Sequence, residues 1–153
     1  MRLIEIGVDW YKNKEIDKIR IYNIELPVEI KSFEDLDVWN KARDLVLKIY
    51  GVTSDFPKEE VYGIISQMKR AVLSIPANIA EGFGRYHYLD KAKFYLNASG
   101  SLFELKNFLV LSVDLKFIDS NIAKELIKDI DQLGVKLNNP VNATRRQAKR
   151  QSE

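Results

Sequence analysis

Apolar positions between residues 32 and 137 recur with the period of an α-helix, whereas those before residue 31 alternate like a strand. Over 32–53, Leu36, Trp39, Ala42, Val46 and Ile49 fall on one helical face. Ser32, followed three residues later by Asp35, resembles a capping box at the start of that helix. The "SDFP" stretch ends it. A second helix opens near Pro57, with Glu59 and Glu60 where the helix dipole favours acids. Val61, Ile64, Ile65, Met68, Val72, Ile75 and Ile79 then occupy an arc of about 100°. A third helix is predicted over 88–113, and a fourth over 120–137 through Ile122, Leu126, Ile130, Leu133 and Leu137. Short links make neighbours antiparallel. The pattern predicts an all-α fold: an antiparallel up-down four-helix bundle over 32–139, after an extension at 1–31 and before a basic, flexible tail at 140–153.

In the extension, Ile4, Ile6, Val8 and Trp10 alternate, as do Ile24, Leu26, Val28 and Ile30. Two readings stand side by side: a short β extension or hairpin, with Pro27 restricting it to an edge, and a loosely ordered arm.

The stretch "VLSIPANIAEGFGRY" (72–86) places Pro76 inside the second helix. Proline removes the N–H that would bond the Val72 carbonyl, so a bend is expected there. Ile79 stays in phase with Ile75, so the helix should continue to Gly82, a natural left-handed C-cap, with Gly84 loosening the turn beyond. Opposite the apolar arc lie Ser66, Arg70, Ser74 and Asn78. They form either a solvated face or a face of small polar groups against which a neighbour packs closely. "NASGS" (97–101) offers a matching patch, and Gly100 weakens the third helix unless something approaches it. That helix also carries an outer row, Leu96, Phe103 and Val110, opposite its main face of Phe94, Ala98, Leu102, Leu105 and Leu109. One bundle core cannot use both faces, so the outer row is expected to be buried by another copy of the chain.

Composition adds bounds. The 153 residues, 46% apolar, make one domain, and the formal charge of +2 identifies no partner. The basic excess sits in the tail, which carries Arg145, Arg146, Lys149 and Arg150 against Glu153. The absence of cysteine suits a reducing compartment, no run is apolar and long enough for a membrane span, and a cytoplasmic location is expected.

Three ordered stretches, "FEDLDVWNKA" (33–42), "FPKEEVYGIISQMKRAVLSIPANIAEGFGR" (56–85) and "KFYLNASGSLFEL" (93–105), resemble the successive signatures of the four-helix-bundle proteins encoded in intervening sequences of bacterial large-subunit ribosomal RNA. That family includes the accessory variability determinant of diversity-generating retroelements. The resemblance covers roughly residues 32–138. It implies a ring-shaped homopentamer and, from the retroelement members, an accessory protein that binds RNA or DNA and a reverse transcriptase. It also implies a basic pair at Lys69 and Arg70 and a further arginine at Arg85. Strongly basic accessory members differ from this nearly neutral chain.

Catalytic chemistry finds little purchase. The single histidine, His87, lies between tyrosines, and Glu59 and Glu60, being adjacent, point apart. No metal-ligand spacing or glycine-rich phosphate loop is present, so no catalytic residue, metal, cofactor or small-molecule substrate is expected. Nucleic-acid binding is the stronger reading. Lys69, Arg70, Arg85, Lys91 and Lys93 are expected to cluster around the turn between the second and third helices, with Tyr86 and Tyr88 available to stack and Arg145 and Arg146 adding phosphate contacts. The rival reading is a protein-interaction scaffold that docks a partner without touching nucleic acid.

Overall fold

The computed structural model describes residues 19–21, 24–26 and 30–151. Among the described residues four α-helices follow one another: α1 Asp37–Thr53, α2 Ile64–Gly84, α3 Tyr88–Asp114 and α4 Ser120–Gln151. Ahead of them, β1 Ile19–Ile21 and β2 Ile24–Leu26 pair antiparallel, with Ile19 opposite Leu26 and Ile21 opposite Ile24. The alternation at Ile24 and Leu26 thus marks a strand; that at Ile4–Trp10 lies outside the described residues.

The capping box forms, but it caps a different element. Ser32 Oγ accepts from the Glu34 N–H, and the Asp35 carboxylate accepts from the N–H groups of Ser32 and Lys31 at 3.0 and 2.9 Å. They close a 3-10 turn, Phe33–Asp35, after which extended Leu36 precedes α1. A second 3-10 segment, Lys58–Tyr62, occupies the predicted first turn of α2, so Val61 is exposed and the buried stripe starts at Ile65.

From there the stripes interlock. Val38, Ala42, Leu45 and Ile49 of α1, Met68, Val72, Ile75 and Ile79 of α2, Ala98, Leu102, Leu105 and Leu109 of α3, and Leu126, Ile130, Leu133 and Leu137 of α4 form one buried core. At about 1.5–3 kcal/mol for each large side chain withdrawn from water, this core is the main source of stability. Ion pairs at the rim record the alignment: Lys106 with Asp131 at 2.6 Å, Lys48 with Asp129 at 2.7 Å, and Lys136 with Asp37 at 2.6 Å. Exposed pairs of this kind add little energy.

Three expectations need correction. α2 runs through Pro76 to Gly84, and no glycine adopts the left-handed conformation among the described residues. Gly82 is buried inside α2 because a Cβ there would lie 2.8 Å from Tyr95 Cε1; it is a close-packing residue, not a cap. The left-handed residue is Lys116, at φ 60°, just beyond α3. There the Phe117 N–H bonds to the Ser112 carbonyl and the Lys116 N–H to that of Val113, both at 2.9 Å, a Schellman motif built without glycine. Finally, α4 does not stop near Leu137 with a flexible tail. Pro140 and Val141 are buried, Val141 continues the stripe four residues after Leu137, and this anchoring carries the helix to Gln151.

Candidate nucleic-acid interface

The polar face of α2 is occupied within the chain. Arg70 donates to Glu104 of α3 at 2.8 Å and to Gln67 at 3.0 Å. One turn on, the Asn78 amide donates to the Ser74 carbonyl at 2.7 Å and to Ser74 Oγ at 2.9 Å, and Ser101 Oγ donates to Ser74 Oγ at 2.9 Å. Ser74, Asn78 and Ser101 are small enough for α2 and α3 to approach along this seam. The neighbour that the pattern calls for is therefore α3 of the same chain.

The basic residues do not form one cluster. Lys69 and Arg70 sit early in α2, and fifteen residues at 1.5 Å each separate Arg70 from Arg85, about 22 Å along the axis. Lys69 Nζ lies 4.7 Å over the Tyr50 ring, away from the turn. Only Arg85, Lys91 and Lys93 gather at the α2–α3 turn, and two of these are engaged. Arg85 pairs with Glu81 one turn back, its guanidinium 4.7 Å over the Phe94 ring. Lys91 Nζ donates to the Phe83 carbonyl at 3.1 Å, closing the end of α2, and burial holds its pKa below the usual lysine value. Lys93 is exposed.

Between them stands an aromatic tip. Tyr86 is 71% exposed and meets the exposed His87 edge-on at 5.3 Å between centroids; Tyr88 is half-buried. Among the described residues no group of three or more His, Cys, Asp or Glu gathers as metal ligands would, and no helix is long and apolar enough to cross a membrane. A surface concavity lined by Lys124, Ile127, Lys128, Asp131, Gln132 and Val135 carries no histidine or paired carboxylates.

The outer row of α3 is solvent-facing in the single chain. Leu96, Phe103 and Val110 are 42%, 74% and 47% exposed. Leu89, missed in the sequence although it lies seven residues before Leu96, extends the row at 69% exposure. Gly100 lies in it too, with open space where a Cβ would stand. Arg145 and Arg146 are exposed on the last turns of α4.

Comparison with known proteins matches this architecture to one family. No curated protein matches the chain. A crystal structure of a protein of unknown function from the S23 ribosomal protein family, from Bacteroides thetaiotaomicron VPI-5482, is similar with a TM-score of 0.62 at 19% identity, over 68% of this chain and 97% of that one. The family model for 23S rRNA-intervening sequence proteins matches residues 34–139, from the first 3-10 turn into α4, and the chain therefore belongs to that family.

Proposed function

We propose that this protein is a non-enzymatic accessory protein that assembles with copies of itself into a ring and binds nucleic acid on the cationic surface the ring repeats. The observation that carries the reading is the row Leu89, Leu96, Phe103 and Val110, four large apolar side chains along one face of α3 in a helix whose opposite face already fills the core. Leu47 and Tyr50 of α1 and Leu73 of α2 are exposed as well, where Lys69 of α2 reaches over the Tyr50 ring. Two unlike patches favour a head-to-tail contact, which closes into a ring where the rotation permits; the homopentamer implied by the resemblance is one such ring. Sedimentation of the full chain tests this. The wild type should be oligomeric at micromolar concentration, and Phe103→Glu, a change at an exposed site, should be monomeric with unchanged helicity. A monomeric wild type would sink the proposal.

A second reading, a scaffold that docks a partner protein such as a reverse transcriptase without touching nucleic acid, is favoured by the engagement of Lys69, Arg70 and Arg85 within the chain. Mobility of labelled RNA at low and high salt separates the two. A salt-sensitive shift supports nucleic-acid binding, and no shift at low salt supports the scaffold.

A further inference from the structure

The charge of the chain is divided along its length. Of its 24 basic and 22 acidic residues, 20 and 21 respectively fall in residues 1–139, which are thus slightly acidic. The net positive charge comes from 140–153, a segment beyond the family match, which ends at residue 139.

The fold turns that segment into a surface. Because α4 continues to Gln151, Arg145, Arg146, Lys149 and Arg150 occupy an arc of about 140° on one helix, all exposed. The antiparallel register of α3 and α4 is fixed where Lys106 pairs with Asp131 and Leu102 lies 3.9 Å from the Cβ position of Gly134. Both helices rise 1.5 Å per residue, so the same register brings 145–149 level with 88–92, the start of α3. The α4 cations, Arg85, Lys93 and the exposed Tyr86 therefore share one end of the bundle. Of the turn's two acids, Glu81 is paired with Arg85 and Asp90 is exposed.

The chemistry selects among polyanions. Residues 142–151 hold no apolar side chain larger than alanine, so this helix has no face with which to enter a bilayer. A protruding tyrosine beside exposed cations serves unstacked bases, whereas duplex bases are already stacked. We propose that the C-terminal extension of α4 and the α2–α3 turn form one platform for single-stranded nucleic acid, Arg145, Arg146, Lys149 and Arg150 contacting phosphates and Tyr86 stacking on a base. This rests on the nucleic-acid reading above and moves its centre away from Lys69 and Arg70.

Fluorescence anisotropy of the full chain with labelled oligo(dT), oligo(U) and a blunt duplex of equal length tests it. R145Q/R146Q/K149Q/R150Q, four exposed sites, should weaken single-strand binding at least tenfold and flatten the salt slope by about 3, from about 0.7 per phosphate contact. Tyr86→Ala should weaken single-strand binding about tenfold and leave duplex binding unchanged. Lys69→Gln with Arg70→Gln should change neither. If the wild type binds and the fourfold variant keeps its affinity and slope, the platform is wrong while the nucleic-acid reading stands; if the wild type binds none of the three at low salt, both fall. Tighter binding to the duplex, or equal binding to polyglutamate, would also overturn the proposal.

Discussion

Replacing Gly82 by alanine should destabilise the protein, although alanine is the better helix former. In an exposed helix interior the exchange gains about 1 kcal/mol. At Gly82 the new methyl would stand 2.8, 3.1 and 3.2 Å from three carbons of the Tyr95 ring. Ordinary carbon contacts lie at about 3.5–4.0 Å, so ring or helix must retreat by more than about half an ångström. The ring has no room to do so, because Tyr95 is 3% exposed and packed in the core beside Ile79 and Ala98. Overpacking of a filled core costs about 1–3 kcal/mol, and a rigid ring places this case in the upper part of that range. The net loss should be about 1–2 kcal/mol, a fall in Tm of about 2–8 °C for a chain of this size. Gly134→Ala, inside α4 and away from the outer row of α3, is the control: the nearest atom to its Cβ position is Leu102 Cδ1 at an ordinary 3.9 Å, so the same exchange should gain about 1 kcal/mol. Urea unfolding followed by circular dichroism at one fixed protein concentration reads both, since assembly makes stability depend on concentration. A Gly82→Ala protein as stable as the wild type would refute the close approach of α2 and α3.

Further predictions come from other parts of the bundle. Lys116→Gly should raise stability by about 1 kcal/mol, because lysine carries a left-handed penalty at φ 60° that glycine does not; thermal unfolding checks this. Leu105→Ala, at a fully buried site of α3, should cost about 2–5 kcal/mol in urea unfolding. The N–H groups of Ser32 and Lys31 hold the Asp35 carboxyl below its ordinary value of 3.8. Its contribution is therefore fully present above 3.8 and lost as pH falls through the lower folded value. Asp35→Asn should flatten the acid limb of stability against pH, and a carboxyl titration followed by NMR should show the lowered midpoint.

How far the sequence reveals the fold depends on whether a residue's role is local. The stripes of α2 and α3 were legible because burial of one helix face imposes its period on the chain, whichever helices cover it. Gly82 was not, because a glycine late in an apolar run has the same sequence signature whether it caps a helix or admits a ring from another one. Lys116 gave no signal either: two backbone hydrogen bonds close the end of α3 around it, and backbone groups carry no side-chain signature, while Phe117 beyond it lies 5.7 Å from Phe56 between ring centroids. The end of α4 was readable in principle. Pro140 is a stop signal by itself, yet Val141 keeps the stripe of Leu133 and Leu137 and is 4% exposed. The candidate site was harder, since its cations are spread over three helices and only the antiparallel register brings Arg145 to the level of the α3 start. Lys69 and Arg70 illustrate the converse, near to Arg85 in a list of basic residues but about 22 Å from it along α2.

The two proposed surfaces also constrain one another. The apolar row runs along the side of the bundle, from Leu89 to Val110, while the cationic platform lies at one end. Contacts made along the sides leave the ends open, and cyclic symmetry gives every copy the same orientation to the ring axis. All platforms would then face one rim, where a single strand can engage several at once and gain avidity without any new contact. The two surfaces are thereby separable by mutation in one direction only. The fourfold glutamine variant should bind weakly yet sediment as the full assembly, whereas Phe103→Glu, which leaves every platform residue in place, should lose both assembly and most of the affinity for a long strand. Its affinity for an oligonucleotide short enough to span one platform should stay that of the wild type. Equal binding of the long strand by monomer and assembly would show that the rim contributes nothing and that each bundle acts alone.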